Sequence, residues 1–165
     1  MTRQEITEFY GKHHQRLYNI SLRILKDSGE AEEVMQDTIL KFVSSEGTFG
    51  SEAQVSAWLA RTCIRASIDR LRSRKREEAF LADYALQEAA EEPAEEQLRG
   101  PVPDVMQIRA ALESLPDPYR LVLNLVLIEG LDYREIAGLT GQKETTLRSL
   151  FSRGKNKLTL ILNKI

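Results

Sequence analysis

The stretch from Asp132 to Ser149 reads DYREIAGLTGQKETTLRS and contains two short amphipathic segments separated by a glycine. A helix-turn-helix needs a small residue where its helices cross, a turn residue that tolerates unusual backbone angles, and an apolar residue on the second helix that faces back. Ala137, Gly141 and Leu147 supply these three features at spacings of four and six. The stretch therefore predicts a helix-turn-helix, with an ordinary helical hairpin as the alternative.

The second helix of this motif, predicted from about Lys143 to Leu162, separates small polar residues from basic ones. At about 100° per residue its apolar residues share one face. The opposite face and its flanks carry Thr145, Thr146, Arg148, Ser149, Ser152, Arg153, Lys155 and Asn156. Small polar side chains allow a close approach to base edges, and flanking cations reach phosphates. This layout is typical of a recognition helix in a DNA major groove.

Outward from the motif, the hydrophobic periodicity predicts helices throughout the chain. The predicted helices cover residues 5–26, 30–44, 54–74 and 105–114, and a further helix opens at Asp117-Pro118 and ends at Gly130. Aromatic residues make up only 7% of the 165 residues, and helix-forming residues dominate. We therefore predict an all-α fold of two small helical domains, residues 1–76 and 105–165.

The segment between these domains has a different composition. Residues 77–104 carry nine acidic side chains and one basic side chain, whereas the blocks on either side are mildly basic. Such a composition buries too little apolar surface to offset the chain entropy lost on ordering. We predict a flexible acidic linker. The Lys and Arg residues that end both flanking blocks favour a polyanionic partner, with solvated helix ends as the alternative.

A polar stripe follows the predicted third helix at spacings of three and four. It consists of Gln54, Trp58, Arg61, Arg65, Asp69 and Arg72. Apolar residues lie on both sides of it, among them Leu59 and Cys63 on one flank and Ala57 and Ile64 on the other. An aromatic ring in a row of cations suits a separated nucleic-acid strand, whose bases stack and whose phosphates pair. In the alternative, Trp58 folds over the domain core and Asp69 pairs with a neighbouring arginine.

Other chemistries find little support in the sequence. A single cysteine excludes an internal disulfide and a Cys-based zinc site. No catalytic constellation, metal-ligand spacing or cofactor motif is evident. No apolar run approaches the length of a membrane span, and the first residues, MTRQE, lack a signal core. We therefore predict a cytoplasmic protein with no membrane insertion, no enzymatic activity and no cofactor.

Three blocks of the chain resemble the extracytoplasmic-function (ECF) sigma factors of bacterial RNA polymerase. They are the segment AEEVMQDTILKF at 31–42, the segment from Phe49 to Arg76, and the segment from Leu115 to Ser149. The likeness covers about residues 5–76 and 105–162, in matching order and spacing. It implies a factor that binds core polymerase, recognises the −35 and −10 promoter elements, and promotes initiation by opening the −10 region.

The resemblance also assigns roles to residues. It implies that one helix docks on the clamp of the polymerase β′ subunit. The residues of this helix that it assigns to core binding are Glu32, Glu33, Gln36, Asp37, Leu40 and Lys41. The resemblance implies that the −10 element is bound by the stripe on the third helix together with Phe49, Ser51, Glu52 and Arg74. The helix-turn-helix is implied to read the −35 element. The implied partners are core polymerase, including its β flap, promoter DNA and an anti-sigma factor.

Departures from the family pattern leave the DNA sequence preference open. Arg65 stands where Asn is usual, Leu150 replaces a common Arg, and the turn residues at 143–145 differ. Two other functions are alternatives to that of a sigma factor. A stand-alone helix-turn-helix regulator would use its N-terminal helices to dimerise or sense a ligand, but a dimerisation face should be apolar. A small helical enzyme lacks a convincing nucleophile or metal constellation.

Overall fold

The computed structural model describes residues 1–45, 47, 49–75 and 95–165. Every regular element in these residues is helical, which confirms the predicted all-α fold. The helices are α1 (Arg3–Leu25), α2 (Ser28–Ser44), α3 (Glu52–Lys75), α4 (Val105–Ser114), α5 (Asp117–Leu123), α6 (Tyr133–Thr140) and α7 (Glu144–Asn163). The chain divides into two compact units, Met1–Arg74 and Lys75–Ile165.

The first unit is a three-helix bundle in which α1 and α3 run parallel. Contacts made further along α1 are also made further along α3. Lys12 pairs with Glu52 at 2.6 Å, the Ser67 hydroxyl donates to the Ser21 hydroxyl at 2.8 Å, and Arg74 donates to the carbonyl of Leu25 at 2.8 Å. Helix α2 returns between them, because the side chain of Asp27 caps its first turn at once after α1 ends. The apolar faces of all three helices form the core.

The second unit is built around α5, whose side chains are buried. Helix α7 packs closely on it at Gly154. A Cβ atom added at Gly154 would lie 3.2 Å from the Cβ and Cδ1 atoms of Tyr119 and 3.3 Å from Cδ1 of Leu123. Glycine therefore lets the backbone of α7 approach α5, which sets the position of the last helix.

The helix-turn-helix forms where the sequence predicts it. Asp132 and Glu135 form a reciprocal capping box at the start of α6. Gly141 ends α6 in the left-handed region, with φ at 75°. Leu147 on α7 is fully buried, as an inward-facing residue of the second helix should be.

One helix differs from its prediction. The predicted helix ending at Gly130 is α5 followed by a π-helical turn, Asn124–Ile128. In this turn the Glu129 N–H donates to the Asn124 carbonyl five residues earlier, at 3.1 Å. Residues 95–99 precede α4 without regular structure. The rest of the predicted linker up to residue 94 lies outside the described residues.

Candidate nucleic-acid interface

Five of the residues predicted to bind the −10 element meet in one surface pocket of about 370 Å³. Phe49 comes from the loop before α3, and Gln54, Trp58, Arg61 and Arg65 come from successive turns of α3. The helical spacing places these side chains on one face, and the loop brings the phenylalanine ring against them. The pocket thus combines apolar rings with guanidinium groups and an amide.

An aromatic cluster supports the loop side of this pocket. The ring of Phe42 lies 5.2 Å from that of Phe49 and 5.7 Å from that of Trp58, and the Phe49 and Trp58 rings are 6.0 Å apart. Phe9 of α1 stacks on the other face of Phe42 at 4.4 Å. Trp58 is consequently half-buried, so it both packs on the aromatic core and lines the pocket. The sequence left two roles open for Trp58, a surface for stacking bases and a cover over the domain core, and the position of its ring is compatible with both.

The loop is fastened to the start of α3 by local hydrogen bonds. The Gly50 N–H donates to Oε1 of Gln54 at 2.6 Å, and the Gln54 N–H donates to the hydroxyl of Ser51 at 3.2 Å. Glu52 bonds to Lys12 at 2.6 Å, and this hydrogen bond and charge hold the pKa of Glu52 below its ordinary value. Ser51, Glu52 and Gln54 therefore all have a structural task at this helix start.

The remaining residues of the predicted −10 set lie further along α3. Asp69 is exposed, and Arg72 is half-buried. Arg74 binds the carboxylate of Glu30 and the carbonyl of Leu25. Its guanidinium therefore joins α3 to the other two helices at the end of the bundle, and its assignment to the DNA-binding surface stays a prediction. Ala57, one of the apolar residues that flank the stripe, is exposed at the pocket rather than packed in the core.

All six residues predicted to bind core polymerase lie exposed on α2. They are Glu32, Glu33, Gln36, Asp37, Leu40 and Lys41. Leu40 is 62% exposed in this otherwise polar set. Arg70 of α3 lies beside the same face, with its guanidinium 2.6 Å from the carboxylate of Glu33 and 3.8 Å from that of Asp37. The Glu33 hydrogen bond raises the pKa of Arg70.

The predicted −35 surface is largely accessible on α7. Thr145, Arg148, Ser152 and Lys155 are exposed, and Thr146 and Ser149 are half-buried. Arg153 does not fit the prediction of an exposed flank, because it is only 9% exposed. At 100° per residue it lies between the polar stripe and the buried Leu150, which explains why it turns away from solvent.

Arg148 is held by two neighbours within the helix-turn-helix. Its guanidinium carbon lies 5.3 Å from the centre of the Tyr133 ring, and its Nη2 lies 3.8 Å from the Glu144 carboxylate. The Tyr133 ring in turn meets the edge of Phe151 at 6.2 Å. The cation is therefore positioned between α6 and α7 before any ligand arrives.

The sequence reasoning missed Thr62 and Arg70. Thr62 lines the pocket four residues after Trp58, so helical spacing alone was enough to find it. Arg70 was counted only as part of a basic cluster, and its contacts with α2 depend on the packing of the bundle. In the described parts of the chain, no group of three or more His, Cys, Asp or Glu side chains is suited to hold a metal ion. No helix in those parts is long and apolar enough to cross a membrane.

One helical unit carries an aromatic and basic pocket and the other a helix-turn-helix. Both features are typical of proteins that bind nucleic acids. Comparison with known families is consistent with this. Residues 9–77 match the model of Sigma-70 region 2, and residues 105–158 match that of Sigma-70 region 4. The chain belongs to the sigma-70 family of RNA polymerase sigma factors and to its ECF group.

Individual relatives carry the same description. The chain is 33% identical over 159 residues to the ECF RNA polymerase sigma factor SigE of Mycolicibacterium smegmatis, covering 95% of this chain and 61% of that protein. It is 27% identical to the ECF sigma factor SigM of Mycobacterium tuberculosis, covering 97% and 78%. The sigma factor RpoE of Bartonella quintana, solved in complex with the anti-sigma factor NepR, has a similar fold. Its TM-score is 0.60 at 21% identity, over 96% of this chain and 97% of that one.

Proposed function

We propose that the chain binds core RNA polymerase, reads a −10 element with its first unit and a −35 element with its second, and promotes opening of the −10 region. The observation that carries the proposal is the pocket on α3, where the rings of Phe49 and Trp58 border the guanidinium groups of Arg61 and Arg65. The factor itself performs no catalysis and works in the cytoplasm, where it needs no cofactor.

The pocket suits a single base drawn out of the duplex. Extruding a base costs a few kcal/mol, and stacking on an aromatic ring returns about 1–3 kcal/mol per base. Stacking of one base therefore offsets only part of the cost of extrusion, and contacts with the phosphates must supply the rest. Arg61 and Arg65 stand beside the rings on successive turns and are suited to that role. Asp69 and Arg72 continue the surface along α3.

The −35 element is assigned to the exposed face of α7. Ser149 and Ser152 lie at the centre of this face and are suited to approach base edges, whereas Lys155 lies on a flank suited to phosphates. We expect Lys155→Ala to lower affinity for all promoters alike and to reduce the salt slope by about one unit. Ser149→Ala should instead change the preferred −35 base by about 1–3 kcal/mol. A reversed pattern across single-base promoter variants would refute this orientation of α7.

Core polymerase is assigned to two surfaces. The exposed acidic face of α2, with Leu40 in it, is proposed to meet the β′ clamp. The second unit is proposed to meet the β flap through an apolar pocket of about 420 Å³ between α4 and the end of α7, lined by Met106, Ala110 and Ile161 among others. An anti-sigma factor is proposed as a further partner, which would compete for these surfaces.

The core-binding assignment is tested by charge reversal on α2. Asp37→Arg should weaken binding, but Asp37 also lies 3.8 Å from Arg70, so its reversal disturbs a contact inside the bundle. Glu32→Arg is the sharper variant, because Glu32 is exposed and accepts a long, weak hydrogen bond from Nε2 of Gln36 at 3.5 Å on its own helix. Glu8→Arg, the same change on an exposed turn of α1, is the control.

Titration with core polymerase is the measurement. We expect Glu32→Arg to lose affinity and Glu8→Arg to keep it. Equal affinity of both variants would refute the α2 assignment. Failure of the wild-type chain to co-purify with core polymerase would refute the proposed function as a whole, and binding of the isolated chain to duplex DNA with full promoter specificity would favour a stand-alone regulator.

A further inference from the structure

A short extended segment before α4 is bound along the last helix. This segment, residues 95–99 (Glu-Glu-Gln-Leu-Arg), is called the strap here. The Glu96 N–H donates to Oδ1 of Asn156 at 3.2 Å, and the Arg99 N–H donates to Oδ1 of Asn163 at 2.7 Å. The Nδ2 group of Asn163 donates back to the Gln97 carbonyl at 3.0 Å. Two asparagines of α7 thus hold the backbone of the strap at both ends.

The spacings show that the strap is extended and runs parallel to α7. Asn156 and Asn163 are seven residues apart, or about 10 Å along a helix. Glu96 and Arg99 are three residues apart, which is also about 10 Å in an extended chain. Going from Arg99 back to Glu96, the strap advances from Asn163 towards the N-terminal half of α7. The N-terminal end of the strap, which carries the carboxylates of Glu95 and Glu96, therefore lies nearest to the residues assigned to the −35 element.

The strap also lies on the DNA-facing side of the helix. At 100° per residue, Asn156 and Asn163 fall within about 40° of Thr145, Ser149 and Ser152. Ser152 is one turn from Asn156, or about 6 Å along the axis. That distance is shorter than the Debye length of about 8 Å at physiological salt, so the charges of Glu95 and Glu96 act on anything bound at Ser152. The turn between Ser152 and Asn156 is also where Arg153 is buried.

We propose that the strap is an intramolecular occupant of the DNA-binding face of α7 that competes with the phosphate backbone of the −35 duplex. The inference rests on the proposed −35 function of α7. The amide group of Asn156, one turn from Ser152, suits either a peptide backbone or a phosphate, whereas Asn163 holds the far end of the strap. The carboxylates of Glu95 and Glu96 repel a phosphate at the adjoining turn, so the duplex binds fully only when the strap has left.

The first experiment follows the strap itself in the full-length chain. Hydrogen exchange by NMR should show protection of the Glu96 and Arg99 amides, because both donate to asparagine side chains. Addition of a −35 duplex should remove this protection. Retention of protection in the DNA complex would refute the competition.

The second experiment measures affinity for a −35 duplex by fluorescence anisotropy. Asn163→Ala removes two strap bonds at a residue about 16 Å along the axis from Ser152, and it should raise affinity about fivefold. The double change Glu95→Gln and Glu96→Gln should raise affinity by a similar factor at low salt and by less at high salt. Glu113→Gln, which removes a carboxylate from α4 outside the strap, is the control for net charge and should have little effect.

The combination of these changes separates competition from a general charge effect. In the Asn163→Ala background the strap is released, so the two Glu→Gln changes should lose most of their effect. Wild-type affinity in Asn163→Ala, or a Glu113→Gln effect equal to that of the strap changes, would overturn the proposal. Loss of any preference for the −35 sequence in the polymerase-bound wild type would instead overturn the proposed function.

Discussion

Gly154 offers the most direct test of how the second unit positions its recognition helix. In Gly154→Ala the new methyl group would lie 3.2 Å from Cβ and Cδ1 of Tyr119 and 3.3 Å from Cδ1 of Leu123. These separations are shorter than ordinary carbon contacts of about 3.5–4.0 Å. Tyr119 is fully buried, and its Cβ is fixed to the backbone of α5, so the helices must move apart.

The size of the effect follows from two opposing terms. Overpacking a core costs about 1–3 kcal/mol, whereas replacing Gly by Ala in a helix gains about 1 kcal/mol. We therefore expect a net loss of about 1 kcal/mol. Gly138→Ala is the matched control, since Gly138 lies in α6 with nothing within 4 Å of its added Cβ. That variant should gain about 0.5–1 kcal/mol.

Hydrogen exchange resolves these changes within the second unit. Amides of α5 and α7 should exchange faster in Gly154→Ala and slower in Gly138→Ala, while those of α3 serve as an internal reference because they belong to the other unit. A difference of about 2 kcal/mol between the variants is a factor of about 30 in the opening equilibrium. A Gly154→Ala protein as well protected as Gly138→Ala would refute the claim that close contact with Tyr119 fixes α7.

Two further predictions concern single side chains. Tyr133→Phe should retain affinity for −35 DNA, whereas Tyr133→Leu should lose a few-fold because Arg148 loses the ring beneath its guanidinium; equal affinities by anisotropy would contradict this role. Burial, with help from Lys12 and Arg16, lowers the pKa of His13, so the folded first unit binds fewer protons than the unfolded chain, and its stability should fall as pH drops below the ordinary histidine value of 6.5. Chemical denaturation followed by Trp58 fluorescence at pH 7.5 and 5.5 checks this, and His13→Gln should remove the histidine part of the pH dependence.

Local patterns in the sequence were sufficient to predict most of the helices. Asp132 and Gly141 marked the limits of α6, because a side-chain cap and a left-handed residue are short-range requirements. The stripe on α3 was equally predictable, since residues three and four apart share a helix face. Five of the proposed −10 residues therefore met in one pocket as expected.

The sequence was less informative for long side chains, which have more than one partner within reach. Arg74 and Arg153 both lie in basic clusters, and the sequence assigned both to DNA. In the structure Arg74 also joins Glu30 to the end of α1, and Arg153 is buried on α7. A long basic side chain binds whichever carboxylate or carbonyl the packing brings close to it. Its partner therefore cannot be predicted from its position on its own helix.

The sequence by itself determined the all-α class, the helix-turn-helix and the polar faces of α3 and α7, because helical periodicity and capping act over a few residues. Only the tertiary structure decided that Arg70 joins α3 to the acidic face of α2, and that Asn156 and Asn163 bind the strap. These contacts join residues 37 to 66 positions apart. Their geometry depends on where whole helices lie against each other, which the close approach at Gly154 and the shared apolar cores establish.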